Sequence, residues 1–162
     1  MENSVDNPAG TETGANVMCP STYKVLGVGG VGASDDTAVT LNSLLPVKAT
    51  RPTLYGATAW VNNAGIGDDT AYAIAVCGKL KDWSMTQSAT VDNPSGTESL
   101  AEQACPTGTV PTGGGVFASS GETSVDINST LPDPGGKIGW GAFENNASVA
   151  DNTIYAKAPC AL

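Results

Sequence analysis

Val5-Asp6-Asn7-Pro8-Ala9-Gly10-Thr11-Glu12 returns as Val91-Asp92-Asn93-Pro94-Ser95-Gly96-Thr97-Glu98, an offset of 86 residues. Cys19-Pro20 returns as Cys105-Pro106 at the same offset. Further along, Asn62-Asn63 returns as Asn145-Asn146 and Cys77 as Cys160, both now offset by 83. A period this long, with a cysteine pair in each copy, makes two homologous units the fact that any fold must accommodate. Copy one runs over 4–80 and copy two over 89–162, joined by the short stretch 81–88. That stretch lacks Pro and Gly and carries Trp83, so it reads as packed, and two units joined so closely are expected side by side about a pseudo-twofold axis.

The cysteines sit early and late in each copy. No CxxC occurs and the chain has no histidine, so the spacing is not that of a zinc site. Four cysteines allow three pairings, and the repeat selects Cys19–Cys77 and Cys105–Cys160, one bridge per copy. Bridges imply an oxidising compartment, hence a secreted or extracellular protein. The first residues, Met1-Glu2-Asn3-Ser4, have neither a basic start nor an apolar run, so Met1 reads as an initiator placed before a mature chain whose leader has been removed.

Within each copy the signals are β. Thr37-Ala38-Val39-Thr40-Leu41-Asn42 and its counterpart Thr123-Ser124-Val125-Asp126-Ile127-Asn128 alternate, as strands with one buried face do. Thr70–Cys77 and Thr153–Cys160 form the matching last strands. Asn-Pro, Gly-Gly, Asn-Asn and Leu-Pro turn signals fall between the runs at sandwich-like spacing. Thr97–Ala104 has some helical character, but Thr11–Met18 has poor helix formers, so both read as strand or loop. The fold expected is all-β: two tandem antiparallel units, sandwich- or prism-like. The fall in offset from 86 to 83 puts three extra residues of copy one into Val47–Tyr55. It reads as a surface loop carrying Lys48, Arg51 and Tyr55, able to present a basic residue to a protein partner.

The chemistry of catalysis is thin. Without histidine, Ser-His-Asp and Cys-His mechanisms are excluded. Carboxylates at Asp35, Asp36, Asp68 and Asp69, and at Glu122, Glu144 and Asp151, would serve a glycosidase only if two of them faced each other across a cleft. As turn residues on an acidic surface they need no such role, and the chain is read as a non-enzyme. Gly27-Val28-Gly29-Gly30-Val31-Gly32 contains G-x-G-x-x-G, but a β pattern rather than a helix follows, so no cofactor is expected. Asp68-Asp69 and Asp151-Asn152 lack the D-x-D-x-D-G series of a calcium loop, so no metal is expected. With 16 acidic against 7 basic residues and a net charge of −9, neither nucleic acid nor an anionic membrane is an expected partner, and no apolar run is long enough to span a bilayer.

The run Cys105-Pro106-Thr107-Gly108-Thr109-Val110-Pro111-Thr112-Gly113-Gly114-Gly115, with a later Asn and a last strand ending in Cys160, resembles a repeat of small secreted bacterial proteins. There C-P-x-G leads to a glycine triplet, strands and a closing cysteine. Copy one departs from it, with Ser21-Thr22-Tyr23 at the x-G step and Gly27-Val28-Gly29-Gly30 in place of a clean triplet. The resemblance implies secretion and a β fold. That group has no single activity, so no functional residue follows from it.

Aromatic and amide residues carry the functional expectation. Trp60 aligns with Phe143, and Asn62 and Asn63 with Asn145 and Asn146, whereas Trp140, between Gly139 and Gly141, has no aromatic counterpart. A sugar offers its C–H face to an aromatic ring and its hydroxyls to Asn, Asp and backbone groups. Two copies would offer two such sites and avidity. The competing reading has Trp60 and Phe143 in the core, the Asn pairs in hairpin turns, and only Trp140 exposed. Asn128-Ser129-Thr130 and Asn146-Ala147-Ser148 match the N-glycosylation pattern. The leading expectation is a secreted, lectin-like protein that binds an extracellular glycan. The other is a protein-interaction module, such as a protease inhibitor or a component of a secreted assembly.

Overall fold

The computed structural model describes residues 1–50, 52–132 and 135–162, and every regular element among them is a β-strand. Fourteen strands follow in order. The first copy contributes β1 (Glu2–Asn7), β2 (Thr11–Met18), β3 (Lys24–Gly32), β4 (Val39–Thr50), β5 (Thr53–Asn63) and β6 (Asp69–Gly78). The connecting stretch forms β7 (Trp83–Gln87). The second copy contributes β8 (Val91–Asn93), β9 (Thr97–Ala104), β10 (Val110–Pro111), β11 (Gly115–Ala118), β12 (Val125–Pro132), β13 (Gly139–Asn146) and β14 (Asn152–Ala161). With no helix, the described chain has none long and apolar enough to cross a membrane.

The ladders repeat with the sequence. β2 pairs β5 from Thr11↔Asn63 to Met18↔Gly56, and β9 pairs β13 from Thr97↔Asn146 to Ala104↔Gly139. Asn7 opposes Asp69 where β1 meets β6, and Asn93 opposes Asn152 where β8 meets β14. Even the irregularities recur: the β4–β5 ladder shifts between Leu41 and Ser43, the β12–β13 ladder between Ile127 and Ser129. The disulfides join Cys19 to Cys77 and Cys105 to Cys160, with Cα atoms 5.7 and 5.8 Å apart, the pairing that the repeat selects.

The opening motif is a turn. In the first copy Gly10 takes φ +74°, and Pro8 O accepts from both Thr11 N (3.2 Å) and Thr11 Oγ1 (2.7 Å). Gly96, Pro94 and Thr97 repeat this with the same distances. Only residues that tolerate the left-handed region suit that φ, hence the two glycines. The second Asn of each Asn-Asn pair pins the turn: Asn63 Nδ2 donates to Asn7 O and Gly67 O, Asn146 Nδ2 to Asn93 O and Ala150 O. At the C-P-x-G step Gly108 has φ +84°, and Thr22 is forced to φ 75° at the same place. A β-branched residue is strained there.

Each core mixes many alanines with a few branched aliphatic side chains. β6 turns Ala71, Ala73 and Ala75 inward, against Ala57, Ala59 and Val61 of β5, and leaves Tyr72, Ile74 and Val76 outside. Val116, Ala118, Ile154 and Ala156 face Ala101 and Ala142 in the second core. Each buried alanine removes little apolar area, so the ladders and bridges carry a large share of the stability. The strands order into two three-stranded sheets, β1-β6-β3 and β12-β13-β9, and an eight-stranded one, β10-β14-β11-β4-β5-β2 with β7 and β8 also on β14. The large sheet crosses between the copies through Leu44↔Val116. Buried polar groups flank that pair. Asn42 Nδ2 donates to Ser120 O (2.9 Å) and Val125 O (3.2 Å), and Asn62 Nδ2 donates to Val125 O (2.6 Å). Ser43 Oγ accepts from Ala118 N (2.9 Å). A side chain at Gly115 would strike Leu44 O, so the close approach requires glycine there.

The stretch Val47–Tyr55, expected as a loop, is mostly ladder: Lys48 opposes Tyr55 and Thr50 opposes Thr53. The first copy carries its ladder four pairs beyond Pro46↔Ala57, whereas the described ladder of the second copy ends at the counterpart pair Pro132↔Trp140. The G-x-G-x-x-G run lies inside β3, where Gly30 makes room for Leu41 and Ala59.

Candidate functional site

The outer face of the eight-stranded sheet carries a row of side chains that crosses the junction. On β2, Gly14 has no side chain, and the Trp60 ring of β5 lies over it; a Cβ there would come within 2.9 Å of the indole. Beside Trp60 are Glu12 of β2, Phe117 of β11 and the turn Ser119-Ser120-Gly121, which together line a hollow of 120 Å³. Phe117 stacks on Tyr155 of β14, centroids 5.2 Å apart, and Lys157 Nζ lies 5.6 Å from the Tyr155 ring centre. Strand alternation explains the alignment. Trp60, Phe117, Tyr155 and Lys157 each sit between residues whose side chains fill a core.

Electrostatically the row is unusual for a sheet face. Partial burial raises the Glu12 carboxyl, raises the Tyr155 phenol and lowers the Lys157 ammonium from their ordinary values. In all three, desolvation disfavours the charged form. Groups held partly dry beside aromatic rings mark candidate binding surfaces. A hollow of 120 Å³ is too small to enclose a ligand. A ligand would lie on the row, with Trp60 and Phe117 as platforms and Glu12 and the Ser119-Ser120 turn at its rim.

The structure disperses the other residues expected at a site. Asn62, Asn63 and Asn146 are buried, and their amides serve the junction and the turns. Asn145 is half-buried and donates to Asp126 Oδ1 at 2.9 Å, at the edge of a shallow depression with Thr97 and Glu98. Trp140 is half-buried rather than exposed: its ring covers Gly114, and Nε1 donates to Thr130 Oγ1 at 2.6 Å. The glycines flanking it read as freedom, but they are sites of close approach; a Cβ on Gly139 would meet Gln103 O. Tyr55 packs edge-on against Trp83 at 4.6 Å and under Lys24 Nζ at 4.5 Å. Lys48 is exposed beside it in the ladder, and Arg51 lies outside the described residues. Of the two N-glycosylation patterns, Asn128 is exposed and Asn146 is not.

Glu12, Phe117, Ser119 and Tyr155 escape a sequence reading, since they lie on strands far apart in the chain. One signal was available: Glu12 belongs to the repeated motif yet is not needed by the turn that motif builds.

One carboxylate is out of place. Glu144 of β13 is fully buried, and neither side-chain oxygen has a hydrogen-bond partner. Burial, and secondarily the charge of Asp126, pushes its carboxyl up to about 9. Its counterpart in the first copy is Val61, a core residue.

Comparison with known proteins returns nothing: no family model, no curated protein and no solved structure matches the chain.

Proposed function

We propose that the protein is a secreted, non-catalytic binding protein whose ligand is an extracellular carbohydrate, held on the row formed by Glu12, Trp60, Phe117 and Tyr155. The observation that carries this reading is three aromatic rings and a partly desolvated carboxylate on one outer sheet face. Sugar C–H faces stack on such rings, and Glu12 with the Ser119-Ser120 turn supplies acceptors and donors for hydroxyls at the rim. Two disulfides fit a protein that works outside the reducing cytosol. The resemblance to small secreted bacterial repeats supports the same compartment.

The test is a glycan array with the intact, oxidised protein, followed by calorimetry on the best oligosaccharide. Trp60→Ala is expected to weaken binding about tenfold, the loss of one stacking contact, with the melting transition retained. Absence of any glycan ligand, or equal binding by Trp60→Ala, would overturn the reading.

A further inference from the structure

The two ends of the strands differ in charge and in the company of their exposed apolar residues. β14 runs antiparallel to β11, β11 to β4 and β4 to β5. The turn before β14 and the turn after β5 therefore leave the same end of the eight-stranded sheet, on strands about 14 Å apart at ordinary strand spacing. Each turn carries a fully exposed aliphatic side chain, Ile66 in the first copy and Val149 in the second. Neither tip is loose. Asn63 Oδ1 accepts from Gly65 N at 3.0 Å and its Nδ2 donates to Gly67 O at 2.9 Å; Asn146 does the same with Ser148 N at 3.1 Å and Ala150 O at 2.9 Å. Two residues after each tip an aspartate lines a hollow. Asp68, with Asp6 and Asp69, lines one of 430 Å³, and Asp151, with Asp92 and Asn152, one of 390 Å³. Asn152 is 8% exposed, and its Nδ2 has no partner. The turns at this end, 8–10, 33–38, 64–68, 94–96, 119–124 and 147–151, hold acidic residues and no lysine or arginine. The opposite end, where β6 finishes and β13 begins, sets aliphatic residues beside lysines instead. Leu80, 38% exposed, lies between the exposed Lys79 and Lys81, and Ile138, 62% exposed, follows Lys137. Lys137 pairs with Glu102 at 3.5 Å, whereas Lys79 and Lys81 make no ion pair among the described residues.

We infer that the Ile66–Val149 end of one molecule docks head to tail on the lysine-bearing end of a second molecule of the same chain. The aliphatic tips meet Leu80 and Ile138 of the second molecule, and the aspartates beside them meet its Lys79 and Lys81. Charge selects this orientation. Two molecules of net charge −9 repel one another in most approaches, and the end-on approach sets an acidic end against lysines. The tips are held by their asparagines before contact, so little ordering cost is added on docking. The two surfaces are different patches, so the contact is heterologous. It repeats from molecule to molecule and builds an open chain unless the rotation closes a ring.

Sedimentation velocity of the intact, oxidised protein at rising concentration tests this. The parent is expected to associate progressively, beyond a dimer. Two double variants, each made only at exposed side chains and checked for the parental melting transition, disable one end each. Ile66→Ser with Val149→Ser removes the tips, and Lys79→Glu with Lys81→Glu reverses the charge that receives them. Each alone should associate at least tenfold more weakly than the parent. Mixed, they retain one intact tip end and one intact lysine end between them, so they should form a one-to-one complex that grows no further. The inference is overturned by a parent that stays monomeric, which would leave the acidic end to some other cationic partner. It is equally overturned by a parent that stops at a dimer, by either variant associating as the parent does, or by a mixture that forms no complex. No readout uses a sugar and no variant touches the aromatic row, so failure here and failure of the glycan reading are separable.

Discussion

The two copies share their turns, ladders and bridges, and they differ at matched positions in the cores and on the sheet faces. Val61 of the first core is Glu144 in the second. Ala57, inside the first sandwich, is Trp140 in the second, seated over Gly114. Trp60 lines a hollow with Ser119–Gly121 of the other copy, whereas its counterpart Phe143 does not line the depression formed by Glu98, Asp126 and Asn145 in its own copy. A duplicated scaffold therefore tells which features folding needs, because folding needs them twice.

The comparison is most severely broken at the bridges. Their sequence separations are 58 and 55 residues, and loops of that size are stabilised by about 4 kcal/mol each in the chain-entropy account. Replacing both cysteines of either bridge by serine should cost nearly the same, read from urea unfolding of the two double variants beside the parent. A large inequality would mean that the copies are not mechanically equivalent.

Glu144→Val makes the second core resemble the first. A carboxyl held at about 9 in the folded protein, against an ordinary value near 4.5, binds its proton more tightly folded than unfolded. Its contribution is complete below about pH 4.5, declines as the pH rises towards 9, and is flat above. Between pH 4.5 and pH 7 the stability of the variant relative to the parent should rise by roughly 3 kcal/mol, since each pH unit of displacement is worth about 1.4 kcal/mol. Chemical unfolding of both proteins at pH 5, 7 and 9 checks this. The gain should grow from the first to the last, and parallel profiles would show that Glu144 is not held protonated.

Much of the scaffold was legible because it is written twice. The turn at Pro8-Ala9-Gly10 and the pairing of the cysteines followed from matched residues at a fixed offset, and alternation in Thr123–Asn128 located β12. What stayed hidden depends on contacts between unmatched residues. The buried junction through Asn42, Asn62 and Val125 joins positions 83 and 63 residues apart, and no local pattern announces such a contact. Trp140 misled because flanking glycines suit both a free aromatic and one pressed against backbone. The candidate site was legible only at Trp60. Its neighbours Phe117 and Tyr155 come from the other copy, brought alongside by a sheet that crosses the junction at Leu44↔Val116.

The central claim is that the row around Trp60 receives a sugar, and the three indoles report on it directly. Trp83 Nε1 donates to Val25 O and Trp140 Nε1 to Thr130 Oγ1, so both are fixed within the scaffold. Titration of the oligosaccharide selected on the array into the oxidised protein, followed by the indole N–H resonances, should shift Trp60 in a saturable manner and leave Trp83 and Trp140 in place. A saturable shift of Trp83 or Trp140 with Trp60 unmoved would contradict it.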